Sequence, residues 1–171
     1  MSKSFGCQID SPEEMVFPDA NPWVSLCSLF CLVANPWVSL SSLFISSGLR
    51  PLSIHCVLCS SNIEETAYHL FFGCPFSKEC WQMIGLQWNS LLPFYDMMSA
   101  SKISFHKQFF MEVFIISTWC IWKQRNGFVF DTRPPTIDNW KSNFIDECFL
   151  QAHRFSQTLK TPFLEWVNSK I

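Results

Sequence analysis

Cys56-Val-Leu-Cys-Ser-Ser-Asn-Ile-Glu-Glu-Thr-Ala-Tyr-His-Leu-Phe-Phe-Gly-Cys-Pro75 is the stretch on which the reading of this chain turns. It arranges three thiols and one imidazole as Cys-x2-Cys-x9-His-x4-Cys. Four such side chains, Cys56, Cys59, His69 and Cys74, suit a single tetrahedral zinc ion. Local signals agree with that use. The first two cysteines share a tight turn, and Ser61-Asn-Ile-Glu64 has the form of a capping box. It predicts a helix running toward Phe72, with Gly73 as the left-handed residue that ends it. Pro75 fits the first turn of a second helix over Phe76 to Ile84, and Gly85 stops it. His69 then falls in the last turns of the first helix. Cys74 caps the second, where the helix dipole favours a thiolate.

A blander reading takes the same residues as buried thiols and a hydrogen-bonded histidine, since nine cysteines make a chance Cys-x2-Cys common. The His-x4-Cys half and the helix signals favour the metal. Of the nearest competitors, His55 abuts Cys56, so one ion can hardly take both in good geometry, and Cys80 lies two turns into its helix beside Trp81. Cys7, Cys27, Cys31, Cys120 and Cys148 have no spacing partner and read as packing residues or idle thiols. All four ligands are protein side chains, and no carboxylate stands where it would activate a water, so the zinc is expected to be structural. Its binding free energy would act as folding free energy, clamping two short helices.

Beyond the motif the chain reads as mainly α. Phe105 to Asn126 is expected to form a long helix, apolar nearly all round in its middle and therefore buried. Its uncharged centre, Val113 to Trp122, is too short to span a bilayer. A turn at Asp131 to Pro135 precedes an amphipathic helix whose Trp140, Phe144, Cys148, Ala152, Phe155 and Leu159 recur on one face. Pro162 is expected to end or kink it. Phe128-Val-Phe130 is the one short stretch that suits a strand.

Toward the N-terminus, Ala20-Asn-Pro-Trp-Val-Ser-Leu-Cys-Ser-Leu-Phe30 returns as Ala34-Asn-Pro-Trp-Val-Ser-Leu-Ser-Ser-Leu-Phe44, differing only at Cys27 and Ser41. Two copies are too few for a solenoid, and the repeat reads as a short tandem duplication. From Ala20 to Leu49 there is no charge. Asn35-Pro36, the serines and the acidic flank at Asp10, Glu13, Glu14 and Asp19 argue against a membrane span and for two short Asn-Pro-capped helices. The expected division is an irregular 1–48, a zinc-binding helical module at 49–90 and a helical tail at 91–171.

The 171 residues suffice for one modest core, with 49% hydrophobic and 15% charged residues. Eighteen Phe and eight Trp beside two Tyr demand a large aromatic core. A net charge of -2, from 12 basic and 14 acidic residues, argues against holding a phosphate backbone by bulk electrostatics. An odd number of cysteines and no basic leader with a small-residue cleavage site fit an intracellular soluble protein, with nucleus or cytoplasm left open.

His55-Cys-Val-Leu-Cys59, Glu64-Glu-Thr-Ala-Tyr-His-Leu-Phe-Phe-Gly-Cys-Pro-Phe76 and Cys80-Trp81 together resemble the zinc-binding domain that follows the reverse transcriptase in plant LINE-type, non-LTR retrotransposons. The stretch Ile116-Ser-Thr-Trp-Cys-Ile-Trp-Lys-Gln-Arg-Asn126, with Trp140, resembles the tail that follows it in grass elements. The resemblance covers about Leu49 to Trp166. It implies that Cys56, Cys59, His69 and Cys74 bind zinc, and that the domain helps a polymerase hold RNA or DNA. Two departures stand against it: the duplicated segment replaces the helices usual upstream of the first cysteine, and no Asp-Asp pair exists to bind catalytic metals. The resemblance therefore implies a fragment.

Three functional classes follow. A nucleic-acid module would use Lys123, Arg125 and Trp122, with Lys102, Lys107 and Trp119 beside them, since basic residues next to aromatics suit RNA or single-stranded DNA. Against it, Lys123 and Arg125 also suit the solvated end of a buried helix. A protein-interaction remnant would have packed against the reverse transcriptase of a parent polyprotein. Catalysis is not expected, because neither a nucleophile motif nor a Gly-rich phosphate loop is present. Translation from a decayed element without selected function is the remaining alternative.

Overall fold

The computed structural model describes residues 55–170, and the readings made above for 1–48 lie outside them. The described chain begins with a loop closed on itself by an isolated antiparallel bridge between His55 and Glu64 and by a hydrogen bond from the Cys56 amide to the Ile63 carbonyl. A π-helical turn, His69–Gly73, follows. Five α-helices complete the fold: α1 Pro75–Met83, α2 Phe94–Phe105, α3 Phe110–Asp131, α4 Ile137–Ala152 and α5 Gln157–Asn168. The expected small helical domain, with a long buried helix and an amphipathic helix after it, is what these residues form. None of the described helices is long and apolar enough to cross a membrane.

The long helix begins and ends later than its sequence suggested. His106 takes a left-handed conformation, φ 57°, and closes α2, a helix the sequence reading missed. α3 therefore starts at Phe110, and it runs through Phe128-Val-Phe130 to a left-handed Thr132. The strand preference of those three residues is overridden because the helix already in progress satisfies their backbone groups. α3 is apolar round most of its girth for a packing reason: α1 and α4 both lie against it, burying Val113, Phe114, Ile116, Cys120 and Ile121. The five-residue connection Thr132 to Thr136 turns the chain back as an αα-hairpin. Thr136 caps α4 by accepting a hydrogen bond from the Asn139 amide at 3.2 Å.

The expected last helix is two. It breaks over 153–156, and Pro162 lies inside α5 rather than at an end. The break lets α5 fold back on α4, so that Phe109 meets Phe163 at 5.3 Å and Trp166 at 5.6 Å, and Phe144 meets Trp166 at 6.4 Å between ring centroids. At the other end, Phe72 stacks nearly parallel on Trp81 and on Phe114, with Trp88 and Phe94 edge-on to it. One core joins the two aromatic groups across the expected division at residue 90.

Candidate metal centre

The capping-box helix does not form where the motif placed it. Glu64 is tied to His55 in the bridge, and Asn62 sits at φ 52°, a left-handed value that Asn tolerates. Thr66 is the residue that opens the helical turn instead, its hydroxyl accepting from the His69 amide at 3.0 Å. The pairing across the loop goes with Cys56 lying beside Cys74 and Cys59 beside His69.

The π-turn explains the His-x4-Cys spacing. On an α-helix, residues five apart stand about 140° round the axis from each other. Here the ring widens, and the Cys74 amide reaches back to the His69 carbonyl at 2.6 Å, joining the two residues by one five-residue hydrogen bond. Wide turns of this kind recur at functional sites. Gly73 is not left-handed, as the cap reading had it; its role is spatial, since a Cβ there would lie 3.3 Å from His69 Nδ1. The carbonyls freed at the end of the turn are taken by α1, with Ser77 donating to Leu70 and Trp81 Nε1 donating to Phe71 at 2.6 Å.

These elements bring Cys56, Cys59, His69 and Cys74 together, with one ligand atom from each lying within 4.8 Å of the others. Cys56 and Cys74 are 3.8 Å apart between sulfurs, and Cys59 Sγ is 3.5 Å from His69 Nε2. Cys56, His69 and Cys74 are buried, and Cys59 is half-buried. The Cys56 thiol donates to Cys74, which holds Cys74 down to about 5 against the opposing effect of burial. The backbone amides of Ser77 and Phe76, at the start of α1, pull the same way without closing formal hydrogen bonds. The same shared proton pushes Cys56 well above the ordinary thiol range. The remaining described cysteines belong elsewhere: burial pushes Cys80, Cys120 and Cys148 up, leaving them as neutral packing groups.

Glu65, which sequence reasoning passed over, supports the loop. It is 3% exposed. One carboxylate oxygen faces the Val57 amide at 3.5 Å, and the other accepts from Arg125 Nε and Nη2 at 2.9 and 2.8 Å. Arg125, expected as a nucleic-acid contact, is thus 4% exposed and directed at Glu65 rather than at solvent. Trp122 is 7% exposed, with the Arg125 guanidinium 5.3 Å from its ring centre. Lys123 is half-exposed and paired with Glu147 at 3.2 Å. No short-range pattern announces Glu65, because its partner stands sixty residues on.

Comparison with protein-family models, with curated proteins and with solved structures returns no match.

Proposed function

We propose that this chain is a non-catalytic helical module held by one structural zinc ion on Cys56, Cys59, His69 and Cys74, of the kind that follows the reverse transcriptase in plant LINE-type elements. The observation that carries the reading is the spacing of the ligand atoms. With Zn–S near 2.3 Å and Zn–N near 2.0–2.1 Å, tetrahedral geometry requires about 3.8 Å between sulfurs and about 3.6 Å between sulfur and nitrogen. Two of the six edges, at 3.8 and 3.5 Å, fit those values, and all six lie within 4.8 Å. Three thiols with one imidazole also form a donor set that favours zinc over harder cations.

Bound there, zinc supplies charge neutralisation for the thiolates and binding free energy of roughly 10 kcal/mol or more, which becomes folding free energy. The protein's own part is to hold the ligands at that spacing: the His55–Glu64 bridge fixes the first pair, and the π-turn fixes the second. Four protein ligands fill a tetrahedron, which leaves the site a clamp rather than a catalyst. The family resemblance supports the assignment on the ligand residues and on Glu64-Glu-Thr66 and His69-Leu-Phe71.

Elemental analysis of the purified chain tests the reading, with helicity followed after chelation. One zinc per chain is expected, lost in Cys74→Ser and retained in Cys80→Ser. A zinc-free, fully helical wild type would overturn it.

A further inference from the structure

Among the described cysteines, exposure separates one from the rest. Cys56, Cys74, Cys80, Cys120 and Cys148 are buried, whereas Cys59 is half-buried. It is followed by the run Ser60-Ser-Asn-Ile-Glu64, exposed throughout, so a small solute can approach its sulfur from the loop side without crossing the core. The same sulfur has close neighbours. His69 Nε2 is 3.5 Å away, and the sulfurs of Cys56 and Cys74 lie within 4.8 Å.

Backbone geometry chooses between those two thiols. Val57 and Leu58 form the turn that joins Cys56 to Cys59. A turn of that kind keeps the Cα atoms at its ends within about 7 Å, the range a disulfide can bridge. Cys74 stands across the site instead, tied to the π-turn by the bond from its amide to the His69 carbonyl. A thiol that responds to oxidants needs thiolate character, access and a second thiol at hand. In the zinc-bound site proposed above, on which this inference rests, all three cysteines are thiolates. Cys59 adds the access, and Cys56 is the second thiol.

We infer that Cys59 is a modification site for hydrogen peroxide, and that its oxidation links it to Cys56 and opens the metal clamp. The Cys59 sulfur attacks one peroxide oxygen; an S–O bond forms, the O–O bond breaks and hydroxide leaves, giving a sulfenic acid. The Cys56 thiolate then attacks the Cys59 sulfur; an S–S bond forms, the S–O bond breaks and a second hydroxide leaves. Two thiolates have given up two electrons, the peroxide has taken them, and solvent protonates both hydroxides. His69 and Cys74 remain as the only two ligands, too few for a tetrahedral site of protein donors, so the metal departs. Reduction by a dithiol returns both thiols and makes the opening reversible.

Zinc content of the untreated full-length chain is read first and decides the metal reading by itself. Hydrogen peroxide is then added in small excess, zinc release is followed with a chromophoric chelator, and the thiols are mapped by differential alkylation and peptide mass analysis. Release is expected together with a Cys56–Cys59 bridge, while Cys74, Cys80, Cys120 and Cys148 stay reduced; dithiothreitol should restore zinc uptake. Cys59→His keeps four donors but removes the accessible thiol, and is expected to slow release roughly ten-fold, since only buried thiols remain at the site. Unchanged release from zinc-loaded Cys59→His would overturn the inference. So would a bridge from Cys74 to either of the other two ligands, or a Cys59 that stays free in peroxide. In a chain found without zinc the thiol map still decides: a Cys56–Cys59 bridge supports the assignment of Cys59, and a free Cys59 sinks it.

Discussion

Gly73 stands so close to the imidazole of His69 that a methyl group there would press on Nδ1 from 3.3 Å. Groups that orient a metal-bound histidine typically change metal affinity 10- to 100-fold when disturbed. Gly73→Ala is therefore expected to weaken metal binding by roughly ten-fold while leaving the helices formed, measured by zinc competition against a chromophoric chelator. Unchanged affinity would mean that the ring has room to shift. The thiols give a second prediction at this scale. With Cys74 held down to about 5 and Cys56 pushed up, the metal-free site at pH 7 holds Cys74 as thiolate and Cys56 as thiol. Zinc must displace the Cys56 proton, so binding releases protons and apparent affinity falls as the pH falls, most steeply once Cys74 also protonates near 5. Calorimetry at pH 7 in buffers of different ionisation enthalpy reads this directly, and buffer-independent heats would refute it. The clustering of Cys56, Cys59, His69 and Cys74 was legible because coordination needs particular side chains at spacings a short chain can close. Glu65 and the spatial role of Gly73 were not, because each depends on a neighbour that only the folded loop provides.

Among the elements, the π-turn and the Glu65–Arg125 pair decide how the metal loop joins the helices. The pair is buried on both sides, with side-chain exposures of 5% and 4%. Removing one partner of a buried pair strands the other's charge, which typically costs 3–5 kcal/mol, while replacing both with apolar groups is often close to neutral. Arg125→Met should accordingly destabilise the domain by roughly 3 kcal/mol, and Glu65→Leu added to it should recover much of the loss, read from denaturant midpoints. Additive losses would show that the two residues act separately. Helix α1 was readable from Pro75 and Gly85 because both punctuate the backbone locally, and Gly85 does take φ 77°. The π-turn was hidden, since its widening comes from the bond between His69 and Cys74 rather than from any residue's own preference. α2 was missed for a related reason: His106, an unremarkable residue in sequence, takes the left-handed conformation that ends it.

At the scale of the whole molecule, the aromatic load foreseen from composition is what ties the metal loop to the distant helices. Phe72 belongs to the π-turn that carries His69, and it stacks at 6.3 Å on Phe114 of α3 and at 6.4 Å on Trp81 of α1. The core then continues through Phe110, Phe105 and Phe109 to Phe163 and Trp166 of α5. The sequence reading expected one folded unit with a zinc-binding module at 49–90 and a helical tail at 91–171, but not how the two pack, because periodicity reports which face of a helix is apolar and not which helix covers it. With a shared core, metal loss cannot remain local: releasing His69 frees Phe72, and the stack on Phe114 loses one side. Hydrogen exchange after chelation is thus expected to rise in α3 around Phe114 together with α1, rather than in 55–90 alone. Phe72→Ala should reproduce that pattern with zinc present, at a cost of roughly 3–5 kcal/mol. Exchange confined to the loop and α1, with α3 to α5 still protected, would mean that the helices beyond residue 90 fold without the metal and that the stacked rings join two independent units.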